Sequence, residues 1–266
     1  MERNTILSLQ AKKKAKIPLV ALTCYDAASA RLIDEVGVDV ALVGDSLANT
    51  RLGYPTTLPV TMDEMVHHTR AAARGIQRAL LVADMPFHSY EAAPWTAAVA
   101  AGRFIKEGGA QAVKVEGGRR VIESIRAILK ANVPVMGHLG LTPQSVHQQG
   151  GYRVQGKKAK DAAYIMEEAR LLEKTGVFAL VLEGVPAALG KRITNRLKIP
   201  TIGIGAGPGC DGQILVLDDV VGFSEGPSPK FVAAYAQVRQ IMTSVLKRFA
   251  GDVRARRFPS DRHSYH

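Results

Sequence analysis

Six ionisable side chains stand in or at the ends of short apolar runs: Asp45, Asp84, Lys114, Glu116, His138 and Glu183. A charge placed at the end of an apolar segment is costly to desolvate, and several like charges held together cannot all ionise without a counter-cation. Asp45, Asp84 and Glu116 form an all-oxygen set, which suits a hard cation. Mg²⁺ takes one or two carboxylates and leaves its other positions to water or substrate. No His-X-X-X-His or cysteine pair accompanies them, so zinc is the poorer match. Glu183, in VLEGVP after a strongly apolar run with no obvious cationic partner, suits a general base. Each acid taken singly has a plainer reading, as a strand-end or helix N-terminal cap or, for Glu183, a structural ion pair. It is their shared position that argues for a site.

The runs that carry them recur along the chain: 17–25, 38–45, 79–87, 110–117, 133–140, 177–184, 199–207 and 214–223. All are rich in Val, Ile, Leu and Ala and too continuously apolar for a half-exposed antiparallel sheet. They read as parallel strands covered on both faces. Between them, 62–77, 94–109, 118–132 and 160–176 repeat apolar residues at helical spacing, and Gly37, Gly108, Asn132 and Gly176 stand where helix C-caps belong. A regular β/α alternation leaves a closed barrel or an open doubly wound sheet, and eight strands favour a single-domain (β/α)₈ (TIM) barrel. The expected domain spans 1–251 with an N-terminal helix, followed by a basic, disordered tail over 252–266. In such a barrel the strand C-termini meet on one face, so the six side chains share a cavity. Two long polar segments, 46–62 and 141–159, follow strand ends and are expected to be functional.

The chain has 266 residues, 47% of them hydrophobic, and a formal net charge of +11. Much of that charge lies near the ends, at Lys12, Lys13, Lys14 and Lys16 and at Arg254, Arg256, Arg257 and Arg262. Terminal charge blocks usually serve solubility. Nucleic-acid binding is the alternative, but no zinc finger, RNA-recognition signature or aromatic-interleaved basic stripe supports it. Cys24 and Cys210 stand apart without ligand spacing, and the first residues lack a secretory h-region. A soluble protein of the reducing cytoplasm, bound to neither nucleic acid nor membrane, is the expectation. GIGAGPG (203–209) lacks the ending of a P-loop and does not follow the first strand, so it is a weak nucleotide signal. His67 and His68, adjacent on a helix, point in different directions and read as ordinary surface or interface residues.

Taken together, TCYD (23–26), VGDS (43–46), TLPVTMDEMVHHTRAAARG (57–75), DMPF (84–87), AVKVEGG (112–118), PVMGHLGLTPQSVHQQGGYRVQGK (134–157), LVLEGVP (180–186) and TIGIGAGPGCDGQILVLDDVVGF (201–223) resemble the ketopantoate hydroxymethyltransferase family, of the phosphoenolpyruvate mutase/isocitrate lyase barrel superfamily. The loop LANTRLGYP (47–55) departs from the family's usual continuation, and the basic tail looks peculiar to this chain. The resemblance implies that Asp45, Asp84 and Glu116 hold Mg²⁺, the last through water. It also implies that Asp45, Ser46, Asp84 and Lys114 touch a 2-oxo acid with His138 close by, and that Glu183 accepts a proton. It further implies 5,10-methylenetetrahydrofolate as one-carbon donor, 2-dehydropantoate (ketopantoate) as product on the route to pantothenate and coenzyme A, and a homo-oligomer, a homodecamer in this family.

The expected reaction has Glu183 deprotonating 3-methyl-2-oxobutanoate beside its carbonyl. The enolate carbon then attacks the folate's methylene carbon, and water completes the product. A Schiff base on Lys114 is made redundant by the metal set. The rival reading is another Mg²⁺-dependent 2-oxo-acid lyase or mutase of the same superfamily. Such enzymes carry a reactive cysteine in a mobile loop, a setting that neither Cys24 nor Cys210 has.

Overall fold

A computed structural model describes residues 3–226 and 228–266. Its strands are β1 (Leu19–Thr23), β2 (Val40–Val43), β3 (Leu80–Asp84), β4 (Ala112–Glu116), β5 (Val135–Gly140), β6 (Ala179–Glu183), β7 (Thr201–Ile204) and β8 (Gly212–Leu215). They close into a barrel in sequence order, every neighbouring pair parallel, with β8 returning to β1. The fold is the expected (β/α)₈ barrel. Helices α1 (Ile6–Lys14), α2 (Ala27–Glu35), α3 (Leu47–Thr50), α4 (Met62–Ala73), α5 (Pro94–Lys106), α6 (Ile122–Lys130), α7 (Val146–Gln149), α8 (Ala159–Thr175) and α9 (Ala187–Arg196) come before and between the strands.

The period-two alternation of a strand explains how core and chemistry share the barrel. Leu19 and Ala21, Val40 and Leu42, Leu80 and Val82, Ala112, Met136, Ala179 and Val181, Ile202 and Ile214 belong to one buried apolar cluster, which Leu9 of α1 joins. Continuing the same rows in two-residue steps gives Asp84 after Val82, Lys114 and then Glu116 after Ala112, His138 after Met136 and Glu183 after Val181. The rows of β3 to β6 therefore end, at the C-terminal end of the strand, in a side chain able to do chemistry, whereas those of β7 and β8 stay apolar through Ile204 and Val216.

The chain divides into two compact units, Met1–Val216 and Leu217–His266. The second contains α10 (Leu217–Val221) and α11 (Val238–Arg254). This differs from the expected boundary after residue 251. Helix α11 crosses that boundary, and a short 3₁₀ turn covers Asp261–His263, so 252–266 is not without structure. The expected eighth strand, 214–223, is also shorter and earlier. Its LDDVV segment is apolar enough to pass for a strand, but Asp218 and Asp219 sit in the first turn of α10, where carboxylates favour a helix.

Among the helix ends, Gly37, Asn132 and Gly176 take positive φ as expected, whereas after α5 it is Gly109, not Gly108, that does so. Gly108 serves instead where a side chain would collide with the Phe104 carbonyl and Thr69.

Candidate active site

Asp45, Ser46, Asp84, Lys114, Glu116, His138 and Glu183 all line one cavity of about 110 Å³, together with Thr23, Gly44, Thr57 and Pro143. Leu42, Val181, Ile204, Ile214, Leu215 and Val216 line it as well. The wall thus has two arcs. A charged arc comes from the ends of β2 to β6, and an apolar arc comes mostly from β6, β7 and β8. Both long polar segments contribute, 46–62 through Ser46 and Thr57 and 141–159 through Pro143.

The Lys114 ammonium donates to both Asp84 oxygens at 2.6 Å and lies 3.8 Å from Glu116 Oε1. Asp84 Oδ2 also accepts from the Asp45 backbone N–H at 3.2 Å. His138 stands between two carboxylates, Nδ1 3.3 Å from Glu116 Oε1 and Nε2 3.3 Å from Glu183 Oε2. Neither imidazole nitrogen nor Glu116 Oε1 makes a well-directed hydrogen bond, so these are charge contacts at their present geometry. Tyr25 Oη and Ser46 Oγ share a hydrogen bond of 2.8 Å, and the Tyr25 carbonyl meets His68 Nδ1 at 2.7 Å. His68, expected to be an ordinary surface or interface residue, tethers the loop after β1.

Electrostatics follow from burial. Desolvation first, then repulsion from Asp84 and Glu116, holds the Asp45 carboxyl well above the usual range. Asp84 is also raised, by desolvation against the opposing pull of Lys114. The His138 imidazole is pushed down by burial and by Lys114, but Glu116 and Glu183 outweigh them and raise it to about 9. The two flanking carboxyl groups thus favour the charged form of the ring. Glu116 is lowered, since His138 and Lys114 overcome its desolvation. Four carboxyl groups and two basic groups thus share one small cavity.

Three lining or bridging residues escape sequence reading. Thr57 is buried, and its hydroxyl has no hydrogen-bond partner. Gln144 and Tyr90 are buried side chains that reach the charged arc. Only their tertiary contacts reveal them. Gly140 is required by position: it takes φ +99°, and a side chain there would strike the Glu183 carbonyl. That carbonyl accepts from Leu141 N–H at 2.8 Å, which fixes the β5 loop beside Glu183. Cys24 and Cys210 do not line the cavity.

The same charged arc sits within a chain whose residues 3–261 match the family described as ketopantoate hydroxymethyltransferase. The chain belongs to that family. The match runs past residue 251, so the tail's start is not peculiar to this chain.

Among its relatives, the 3-methyl-2-oxobutanoate hydroxymethyltransferases of Acidothermus cellulolyticus and Koribacter versatilis are 53% and 52% identical to it. The alignments cover 99% of this chain and 97% of the first relative, and 98% of this chain and 89% of the second. As a ketopantoate hydroxymethyltransferase family member, the protein is a transferase of hydroxymethyl groups. Among solved structures, phosphonopyruvate hydrolase in complex with oxalate and Mg²⁺ superposes with a TM-score of 0.64 at 13% identity, covering 98% of this chain and 93% of that one. 2,3-Dimethylmalate lyase, described as a phosphoenolpyruvate mutase/isocitrate lyase superfamily member, gives 0.58 at 15% identity, covering 96% and 88%. Both likenesses concern the fold alone.

Proposed function

We propose that the protein transfers a hydroxymethyl group from 5,10-methylenetetrahydrofolate to 3-methyl-2-oxobutanoate, giving 2-dehydropantoate on the route to pantothenate and coenzyme A, with Mg²⁺ as its resident cation. The observation that carries the substrate reading is the two-arc cavity. A 2-oxo acid offers a carboxylate and carbonyl to a charged wall, and its isopropyl group suits an apolar wall of Val181, Ile204 and Ile214. A space of about 110 Å³ suits so small an acid. The larger folate must lie outside it, and a cleft of about 430 Å³ lined by Phe87, His88, Glu91 and His147 lies beside the Gln144 loop.

The donor set supports the cation. Asp45 and Asp84 offer hard oxygens, crowded enough that burial and repulsion raise both, and Glu116 Oε1 lacks a hydrogen-bond partner. Among the described residues no three His, Cys, Asp or Glu side chains are arranged to ligate one ion; in this reading Asp45 and Asp84 would make the direct contacts and Glu116 would act at one remove. When bound, Mg²⁺ would supply a Lewis acid that polarises the acid's carbonyl.

The chain's own residues do the rest. Glu183, at the rim of the charged arc, takes the proton from C3 of the acid, and the Lys114 ammonium faces the oxygen on which enolate charge develops. His138, whose charged form its two carboxyl neighbours favour, stands 3.3 Å from Glu183 as its partner. The order of the last steps differs from the sequence-based expectation, for a chemical reason. Once C3 has bonded to a fourth carbon it has no hydrogen left to drive elimination of a folate nitrogen. Water must therefore open the methylene's carbon–nitrogen bonds first, giving a carbonyl at the formaldehyde level. The enolate carbon then attacks that carbonyl, and the resulting alkoxide takes a proton.

The test is hydrogen–deuterium exchange at C3 of 3-methyl-2-oxobutanoate in D₂O with Mg²⁺, beside an assay of 2-dehydropantoate formation once folate is added. Glu183→Gln is expected to slow exchange by about 10²- to 10⁴-fold. Exchange at the wild-type rate in that variant would remove Glu183 from the role of base. Product formation undiminished by a chelator would remove the cation.

A further inference from the structure

Gln144 follows Pro143 in the 3₁₀ turn Pro143–Ser145 after β5, and it is only 5% exposed. Its carboxamide makes three hydrogen bonds. Nε2 donates to Asp45 Oδ2 at 3.0 Å and to the Met85 carbonyl at 2.9 Å, while Oε1 accepts from the Tyr90 hydroxyl at 2.5 Å. Its backbone N–H donates to Glu116 Oε2 at 3.0 Å. Tyr90, wholly buried, accepts in turn from the Glu116 backbone N–H at 3.3 Å.

This geometry fixes which way the amide points. A carboxylate and a backbone carbonyl can only accept, so the NH₂ group must face Asp45 and Met85. A flipped amide would set oxygen against two acceptors and leave the Tyr90 proton without its partner, a heavy cost in a dry interior. The orientation is therefore determined by three neighbours at once. A continuous chain of donors and acceptors runs from the Glu116 backbone through Tyr90 and Gln144 to Asp45, and it closes through Gln144 N–H back onto Glu116.

We propose that Gln144, oriented by Tyr90, is the positioning residue of the charged arc. It engages one oxygen of Asp45 and one of Glu116, so that each carboxylate turns its other oxygen to the cavity. This rests on the cation reading above, with Asp45 as ligand. Partners that orient metal ligands in this way sustain metal affinity without touching the ion. Holding Asp45 is a task of the carboxamide. Holding Glu116 is a task of the backbone and survives any side-chain change.

The experiment titrates Mn²⁺ into the full-length protein by isothermal calorimetry for the wild type, Gln144→Met, Tyr90→Phe and the double variant, with thermal melts to confirm folding. Methionine has the same reach as glutamine but offers Asp45 no N–H donor, so a space-filling role predicts retained affinity. The positioning role predicts Mn²⁺ binding weaker by about tenfold or more in Gln144→Met. Tyr90→Phe should lose less, and the double variant should be no weaker than Gln144→Met, because Tyr90 acts through the amide. In turnover, Gln144→Met should raise the KM for Mn²⁺ while kcat at saturating Mn²⁺ stays near wild type. A folded Gln144→Met that binds Mn²⁺ as tightly as wild type overturns the proposal. If that variant fails to fold, unchanged Mn²⁺ affinity in Tyr90→Phe overturns it instead. A wild-type protein that binds no Mn²⁺ sinks the cation reading and this inference with it, whereas wild-type binding lost in the variants upholds both.

Discussion

Residue by residue, the site sets firmly bonded groups, at Asp84, Lys114 and Gln144, beside buried polar atoms without a hydrogen bond, at Glu116, His138 and Thr57. Thr57 presents a buried hydroxyl without a partner in the wall of the cavity. Leaving such a group unpaired is unfavourable, so a bound acid is its natural partner. Thr57→Val keeps the shape and removes the hydroxyl; it is expected to raise KM for the 2-oxo acid about fivefold with little change in kcat. Steady-state kinetics with that acid as the varied substrate check it, and an unchanged KM would show that the hydroxyl meets nothing in the complex. Asp45, Asp84, Lys114, Glu116, His138 and Glu183 were legible in the sequence because each breaks an apolar run at its C-terminal end, and barrel topology does the converging. Thr57, Tyr90 and Gln144 were not legible. They lie in irregular segments, where no periodicity tells which way a side chain points, and only the folded path of the loops brings them to the site.

At the scale of elements, the parallel strands announce themselves because both faces are covered, so nearly every position is apolar. The same property blurs their ends, as the LDDVV segment shows. Helix starts are better marked. α4 opens with a reciprocal capping box in which Thr61 Oγ1 accepts from Glu64 N–H at 3.2 Å and Glu64 Oε2 accepts from Thr61 N–H at 2.7 Å. Tyr54 Oη adds a bond to Glu64 Oε1 at 2.9 Å, tying the 46–62 segment to the helix that follows. Thr61→Ala should cost about 1 kcal/mol, a fall in melting temperature of about 2–4 °C in a chain of this size.

The backbone N–H of Thr61 is the main cause that holds the Glu64 carboxyl below its ordinary 4.5, so the folded state binds its proton less readily than the unfolded chain does. Its contribution is complete above pH 4.5 and is lost as the pH falls through the lowered value. Glu64→Gln is therefore expected to melt below wild type at pH 7 and to approach it in acid. Melting curves at both pH values decide this, and a gap that stays constant with pH would exclude the linkage.

Considered as a whole molecule, the chain has two thiols and no disulfide between them. Cys24 is fully buried, and desolvation, with help from Asp26, pushes its thiol up to about 12. The Cys210 thiol is raised too, chiefly by burial. Thiolate is the reactive form, so a maleimide at pH 8 should leave Cys24 unmodified until denaturant is added, as peptide mapping by mass spectrometry would show. Rapid native labelling of Cys24 would mean that the β1 end of the barrel opens. No helix among the described residues is long and apolar enough to cross a membrane. The two-arc wall of the cavity has a broader implication. The side chains that handle protons and charge come from positions 45 to 183, whereas most of those that gauge the shape of the acid's hydrocarbon end come from positions 181 to 216. Reactivity and substrate taste are thus written in largely separate stretches of chain. A library varied only at Val181, Ile204 and Ile214 could retailor the enzyme to bulkier or leaner oxo acids while its proton-handling parts stay as they are.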